Sequence, residues 1–230
     1  MYISWGRFDK NYYEKYFKIR QLFLFEIRYL RKRKRTGKLL DIGCGIGNFL
    51  FHAEKYYEAY GVDISSFAIK YARRRLRKTT LIVASANNLP FRDNFFDVVT
   101  CFDVLEHIRY PKEALREVYR VLKLRSLLMI RVPNIDSIGV KIKGKNWYGF
   151  RDKTHISLLS NKEWIKLMEE IGFTIVETFY DGLWDTPYIN RIPKVLQDIL
   201  IKIPSILLFQ MGVRFPRRLG ENIYIIATKE

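Results

Sequence analysis

Residues 39–48 read LLDIGCGIGN: an apolar run, an acid at Asp41, then glycines at alternate positions, Gly43, Gly45 and Gly47. Such a run ends a buried strand, and glycines directly after it let the backbone turn tightly and approach a ligand with no Cβ in the way. Its flanks decide the fold. Six more apolar, β-rich runs follow, AYGVDI, TLIVAS, FDVVTCFDV, LLMIRVPN, FTIVETFY and NIYIIATK, and between the first five runs of the series lie helical spacings in NFLFHAEKY, SSFAIKYARRRL and YPKEALREVYRVL. That alternation specifies an α/β domain, a mostly parallel sheet covered on both faces. Ligands of such sheets sit at the carboxyl ends of the strands, where the strand order reverses, so the glycine loop is predicted to line the site.

The acid narrows the ligand. A dinucleotide fingerprint, G-x-G-x-x-G, needs its third glycine where this chain has Asn48, and no G-K-[ST] follows to make a Walker loop. A carboxylate at Asp41 repels a pyrophosphate and suits an ammonium or sulfonium group. Asp63 ends the second run, about twenty residues on, where a carboxylate accepts hydrogen bonds from both ribose hydroxyls. Adenosine carrying a charged amino-acid tail fits both acids. Taken singly, either acid is as readily a helix cap; their joint spacing around a glycine loop favours a ligand site.

Composition bounds the rest. The chain has 230 residues and 48% hydrophobic content, enough for one α/β domain with a modest insertion. Its two cysteines, Cys44 and Cys101, sit in apolar strand ends, which gives neither a disulfide framework nor a metal-ligand spacing, so no metal is expected and a reducing cytosol fits. No stretch reaches the roughly 18 apolar residues of a membrane span, and MYISWGRFDKNYYEKYF is too polar and aromatic for a signal peptide. A formal charge of +17 attracts phosphate-rich partners or an anionic membrane surface. The basic residues cluster in RYLRKRKRTGK (28–38) and RRRLRK (73–78), each of which reads first as a solvated helix face and second as a nucleic-acid contact.

Over nearly its whole length the chain resembles a class I S-adenosylmethionine-dependent methyltransferase of the type 11/23, small-molecule or glycan kind. LLDIGCGIGNFL resembles that family's first motif, YGVDIS its second, ASANNLPFRDNFFDVVTCFDVLEHI its third and fourth, and ALREVYRVLKLRSLLMIRVPN the helix and strand that follow. The resemblance implies a Rossmann-like, doubly wound, seven-stranded sheet with an antiparallel last strand and an inserted helical lid. It implies S-adenosylmethionine as cofactor and S-adenosylhomocysteine as product. Asp41, Gly43, Cys44 and Gly45 would hold the methionine portion, Asp63 and Ile64 the ribose, and Ser85, Ala86 and Leu89 the adenine environment, with Phe102 and Tyr16 closing the site. Two positions depart from the family: Ser85 stands where an Asp often accepts from the adenine amino group, and Leu124-Arg125-Ser126 replaces a Pro-Gly-Gly turn.

A sulfonium methyl is already activated, so the protein has to place a nucleophile in line and, for a hydroxyl or amine, provide a proton acceptor. Candidates follow strands four and five: Asp103, Glu106 and His107 in CFDVLEHI, and His155 in RDKTHISLLS. For His107 a structural role stands beside the catalytic one; for His155 the alternative is loop packing.

The chain divides into an N-terminal helical segment (1–36), in which Tyr12, Tyr13 and Tyr16 close over the cofactor or pack the core, and a methyltransferase-like domain (37–230) with an insertion at 181–221. In PKVLQDILIKIPSILLF, Val195, Leu196, Ile199, Leu200 and Ile203 share one helical face opposite Lys194, Gln197, Asp198 and Lys202, and Pro204 is expected to break the helix. The face packs inward as a lid, or docks on an anionic membrane beside Arg214, Arg217 and Arg218. Three functional classes follow: methylation of a small-molecule or lipid-linked acceptor, methylation of RNA through the basic surface, and a non-catalytic cofactor-binding partner subunit. A cytoplasmic location is expected, at the membrane periphery if the insertion docks. Oligomeric state is not encoded in any of these features.

Overall fold

The structure is a computed structural model, and it describes residues 23–230. Tyr12, Tyr13 and Tyr16 lie outside the described residues. The first described helix, α1 (Leu24–Arg33), turns Phe25, Ile27, Tyr29 and Leu30 into the core. β1 (Lys38–Ile42) runs into the glycine loop and a short α2 (Leu50–Ala53). β2 (Glu58–Asp63), α3 (Ser66–Arg75), β3 (Thr80–Val83), β4 (Phe96–Phe102), α4 (Pro111–Val121) and β5 (Leu122–Pro133) complete the alternating half. Then come α5 (Ile138–Lys143), α6 (Tyr148–Arg151), α7 (Asn161–Glu169), β6 (Phe173–Tyr180), α8 (Lys194–Gln197), α9 (Ile203–Met211) and β7 (Asn222–Lys229).

The seven strands lie in the order β3-β2-β1-β4-β5-β7-β6. β1 to β5 pair in parallel, while β7 slots antiparallel between β5 and β6. The expected doubly wound sheet with an antiparallel last strand is therefore present. One core lies under α1, α2 and α3, built on Leu30, Leu50, Ile69 and Tyr224; the other lies under α4 and α7, built on Leu115, Val118, Trp164 and Met168. Strand order reverses between β1 and β4, which brings the glycine loop beside the end of β4.

Two local expectations are corrected. Leu124, Arg125 and Ser126 do not form a turn ahead of β5; they lie inside it, as a register shift against β4 in which Phe96 faces Leu122 and Val98 faces Leu127. Arg125 takes a left-handed φ of 56°, so the extra residues bulge out and the apolar alternation resumes at Leu127. Nor does Pro204 break the insertion helix. It lies inside a helical run that continues over residues 194–211, directly after a π-turn at Asp198–Lys202, where the widened turn accommodates a residue with no N–H to donate.

The apolar face of that helical run points outward, not inward as in the packed-lid reading. Val195 is 70% exposed, Leu200 64% and Met211 75%, and Ile199, Ile203, Leu207 and Leu208 are exposed too. The buried side carries Gln197, Ser205 and Phe209. Gln197 sets this orientation: its amide donates to the carbonyls of Ile189 and Ile192 at 2.7 Å each, and its oxygen accepts from the amides of Tyr188 and Ile189. A side chain with all four hydrogen bonds made inside the protein fixes which face turns inward. Gln210 does the same at the other end, accepting from the Leu24 and Phe25 amides at the start of α1.

Candidate active site

The glycine loop is held from two strands. Asp63 at the end of β2 accepts from the Gly45 amide through Oδ2 and from the Ser65 amide through Oδ1, both at 2.8 Å. Gly43, Gly45 and Gly47 all have positive φ, and a Cβ on Gly43 would stand 2.2 Å from a Val104 methyl carbon. Only glycine permits that loop. The Cys44 side chain turns into the core towards Gly61, so the residue faces the loop with its backbone.

Asp41 is buried on β1, and its Oδ1 accepts from the Thr100 hydroxyl on β4 at 2.8 Å. Burial raises its carboxyl to about 7, with the nearby Asp63 charge acting in the same direction, against the Thr100 hydrogen bond. A buried carboxylate held up in this way is paired most favourably by a cation. The ribose and adenine positions follow from neighbouring strand ends. Ile64 directly follows β2. Ser85 forms an isolated bridge with Asn88 and accepts from the Asn87 amide at 3.3 Å, while the Leu89 amide donates to Glu117 at 2.8 Å. Ala86 and Leu89 join the second core. These residues fit S-adenosylmethionine: a buried acid for its cationic tail, an acid between the loop and the next helix start for the ribose, and a bridge flanked by apolar side chains for the base. Phe102 packs edge-on against Phe49 and stacks with Phe23.

Past β4 the candidates separate. Asp103 takes a left-handed φ of 57°, and both its oxygens are gripped by Arg131 of β5. Arg131 in turn donates to the Tyr224 hydroxyl at 3.1 Å, and that hydroxyl donates to buried Glu26 at 2.6 Å. Asp103 is thus one end of an ion-pair network, not a free base. Sequence reasoning passed over Arg131, although a lone arginine inside the apolar run LLMIRVPN was its signal. Thr100, the one hydroxyl in FDVVTCF, was passed over for the same reason.

Glu106, His107 and His155 come together. The carbonyl of Glu106 accepts from the amides of Ile156 and Ser157 at 2.9 Å, and Ser157 donates its hydroxyl to Ile108 at 2.6 Å, which ties the two segments. The two imidazoles lie 4.7 Å apart, centre to centre. His155 Nδ1 faces the Gly149 carbonyl at 2.7 Å; a carbonyl only accepts, so that nitrogen carries a proton, and Nε2 lies 3.9 Å from an Asp152 carboxylate oxygen. Thr154 donates its only hydroxyl proton to Asp152 at 2.6 Å, so at His107 it accepts from Nδ1, 2.9 Å away. Burial, then the neighbouring His155, lowers His107 to about 4. Glu106 is 1% exposed and its carboxyl is raised far above the usual range by burial, with Asp103 adding to it.

A doubly wound sheet with a glycine loop and an acid on each of two adjoining strands is the arrangement of a class I methyltransferase. Residues 8–178 match the family model for the methyltransferase domain, and the chain belongs to that family. Its cofactor is S-adenosylmethionine. An uncharacterised protein of Methanocaldococcus jannaschii is 37% identical over 185 residues, covering 78% of this chain and 75% of that one. Demethylmenaquinone methyltransferase of Thermotoga maritima is 29% identical over 161 residues, 60% of this chain and 70% of that one. A SAM-dependent methyltransferase structure from Archaeoglobus fulgidus superposes with a TM-score of 0.66 at 24% identity, covering 96% of this chain and 100% of that one.

Proposed function

We propose that this methyltransferase acts on a small-molecule acceptor that is itself lipid-like or lipid-linked, reached from an anionic membrane surface. The observation that carries this reading is the exposed apolar ridge along 194–211. A water-facing run of Val195, Ile199, Leu200, Ile203, Leu207, Leu208 and Met211 is far more apolar surface than a soluble face tolerates without a partner. Basic side chains flank it at Arg191, Lys194, Lys202, Arg214 and Arg218, which suits anionic headgroups. Among the described residues no helix is long and apolar enough to cross a membrane, so the contact is peripheral.

The ridge is wired to the acceptor side of the site. Gln197 holds Tyr188, whose hydroxyl donates to Glu221; Glu221 also accepts from Trp147 Nε1, and Trp147 packs edge-on against Tyr148, beside His155. Demethylmenaquinone methyltransferase, a relative, carries a small-molecule acceptor in its name, which supports the small-molecule part of this reading.

When bound, S-adenosylmethionine supplies a methyl group already activated by its sulfonium. The protein's part is placement and activation of the acceptor. Asp41 and Asp63 hold the cofactor's polar ends, the glycine loop lies against its chain, and the cluster led by His155, with His107, activates the acceptor's nucleophilic atom. Transfer of labelled methyl from S-adenosylmethionine into a cell extract, partitioned into lipid, small-molecule, protein and nucleic-acid fractions, tests the reading. Label in the lipid fraction, insensitive to nuclease, is expected. Nuclease-sensitive label would instead make the basic runs at 28–38 and 73–78 the substrate surface, and no label in any fraction would leave a cofactor-binding partner subunit.

A further inference from the structure

We infer that Glu106, His107 and His155 form a binding site for a divalent transition-metal cation that takes an oxygen of the acceptor as a further ligand. One ligand atom from each residue lies within 4.8 Å of the others. Two imidazoles and one carboxylate suit first-row divalent ions, and three protein ligands leave coordination positions open for substrate.

Three further observations point to the ion. Among the described residues Glu106 Oε2 is buried with no hydrogen-bond partner, so its lost hydration is not replaced by any protein donor. Each ring gives its Nδ1 proton to an oxygen, His155 to the Gly149 carbonyl and His107 to Thr154, an orientation in which Nε2 is the ring nitrogen that would coordinate. Asp152 accepts from the Thr154 hydroxyl and amide through one oxygen and holds the other 3.9 Å from His155 Nε2, beside the same cluster. Backbone hydrogen bonds from Ile156 and Ser157 to Glu106 then hold the ligands of the two segments in fixed relation. Asp103, the other nearby acid, is engaged by Arg131 and is not counted.

This inference rests on the acceptor reading above and specifies its chemistry. An oxygen nucleophile, a hydroxyl or phenol, bound to the cation loses its proton to water more readily. The oxygen–methyl bond then forms as the sulfur–methyl bond breaks, leaving S-adenosylhomocysteine and the methyl ether.

Cobalt(II), added alone to the chelator-stripped full chain, tests the site by visible absorption, with S-adenosylhomocysteine binding measured by calorimetry on the same samples. One saturable equivalent of cobalt is expected, with d–d bands. Glu106→Gln and His155→Asn should each weaken cobalt binding at least tenfold while S-adenosylhomocysteine affinity changes less than twofold. A variant that has lost S-adenosylhomocysteine binding has lost its fold, and the other variant then decides. Absence of saturable cobalt in the native protein with intact S-adenosylhomocysteine binding would overturn the site, as would cobalt binding indifferent to both substitutions. Specific cobalt binding without methyl transfer to any fraction of the extract would support the metal site and overturn the acceptor reading.

Discussion

Thr100 on β4 donates its hydroxyl to the buried carboxylate of Asp41, its registered neighbour on β1, at 2.8 Å. The pair sits beneath the glycine loop, and the carboxyl is raised to about 7, first by burial and then by Asp63. Arg131 and Thr100 act against that rise without cancelling it.

Cofactor affinity should therefore depend on pH through Asp41. A cationic ligand beside the carboxyl favours the ionised form, so binding releases a proton below pH 7 and tightens as pH rises towards it. Calorimetry between pH 5.5 and 7 should show Kd for S-adenosylhomocysteine falling about tenfold. Asp41→Asn should flatten the profile; a native profile already flat would detach Asp41 from the ligand.

The same group sets the sign for stability. An aspartate whose folded pKa is raised stabilises the fold fully below the unfolded value of about 4, and that contribution is lost as pH climbs through about 7. Melting of the ligand-free protein should show this decline, and Asp41→Asn should reduce it. Thr100→Val, which removes the carboxyl's donor, should cost about 1–3 kcal/mol above pH 7.

Arg131 joins Asp103, Tyr224 and Glu26 in one buried network. Arg131→Met leaves two acids without their cation and should destabilise the protein by about 3–5 kcal/mol, read by denaturant titration. Restoring apolar character at both ends, in Arg131→Met with Glu26→Leu, should recover part of that loss. Equal melting of native protein and Arg131→Met would show the network to be unimportant to the fold.

His155 sits in the acceptor cluster with its Nδ1 donating to the Gly149 carbonyl. His155→Ala should cut turnover at least tenfold while leaving S-adenosylhomocysteine affinity nearly intact, because the residue lies off the glycine loop and strand ends that hold the cofactor. Unchanged turnover would remove it from the mechanism.

The ridge should bind membranes. Native protein is expected to co-float with vesicles rich in phosphatidylglycerol and not with purely zwitterionic ones, and Leu200→Glu with Leu207→Glu should abolish flotation without shifting the melting temperature. Both side chains are more than half exposed, so their loss removes no core packing. Native protein that stays at the bottom of the gradient would end the membrane reading.

The sequence alone determined the sheet and the kind of cofactor. Period-two apolar runs, helical spacings between them and a glycine loop after an acid are local signals, and they hold because strand ends and tight turns are decided by near neighbours in the chain. The placing of Asp41, Gly43, Gly45 and Asp63 around one loop was legible for that reason. What lay across the chain was not. Arg131 reaches Asp103 twenty-eight positions away and Tyr224 ninety-three away, and Thr154 meets His107 across forty-seven. The insertion shows the limit most directly. Its helical period read correctly, but Gln197 and Gln210 turned the polar side inward through hydrogen bonds to Tyr188, Ile189, Leu24 and Phe25, and the apolar face was left in water. Periodicity gives a helix two faces; only the partners that satisfy its buried polar groups decide which one the protein keeps.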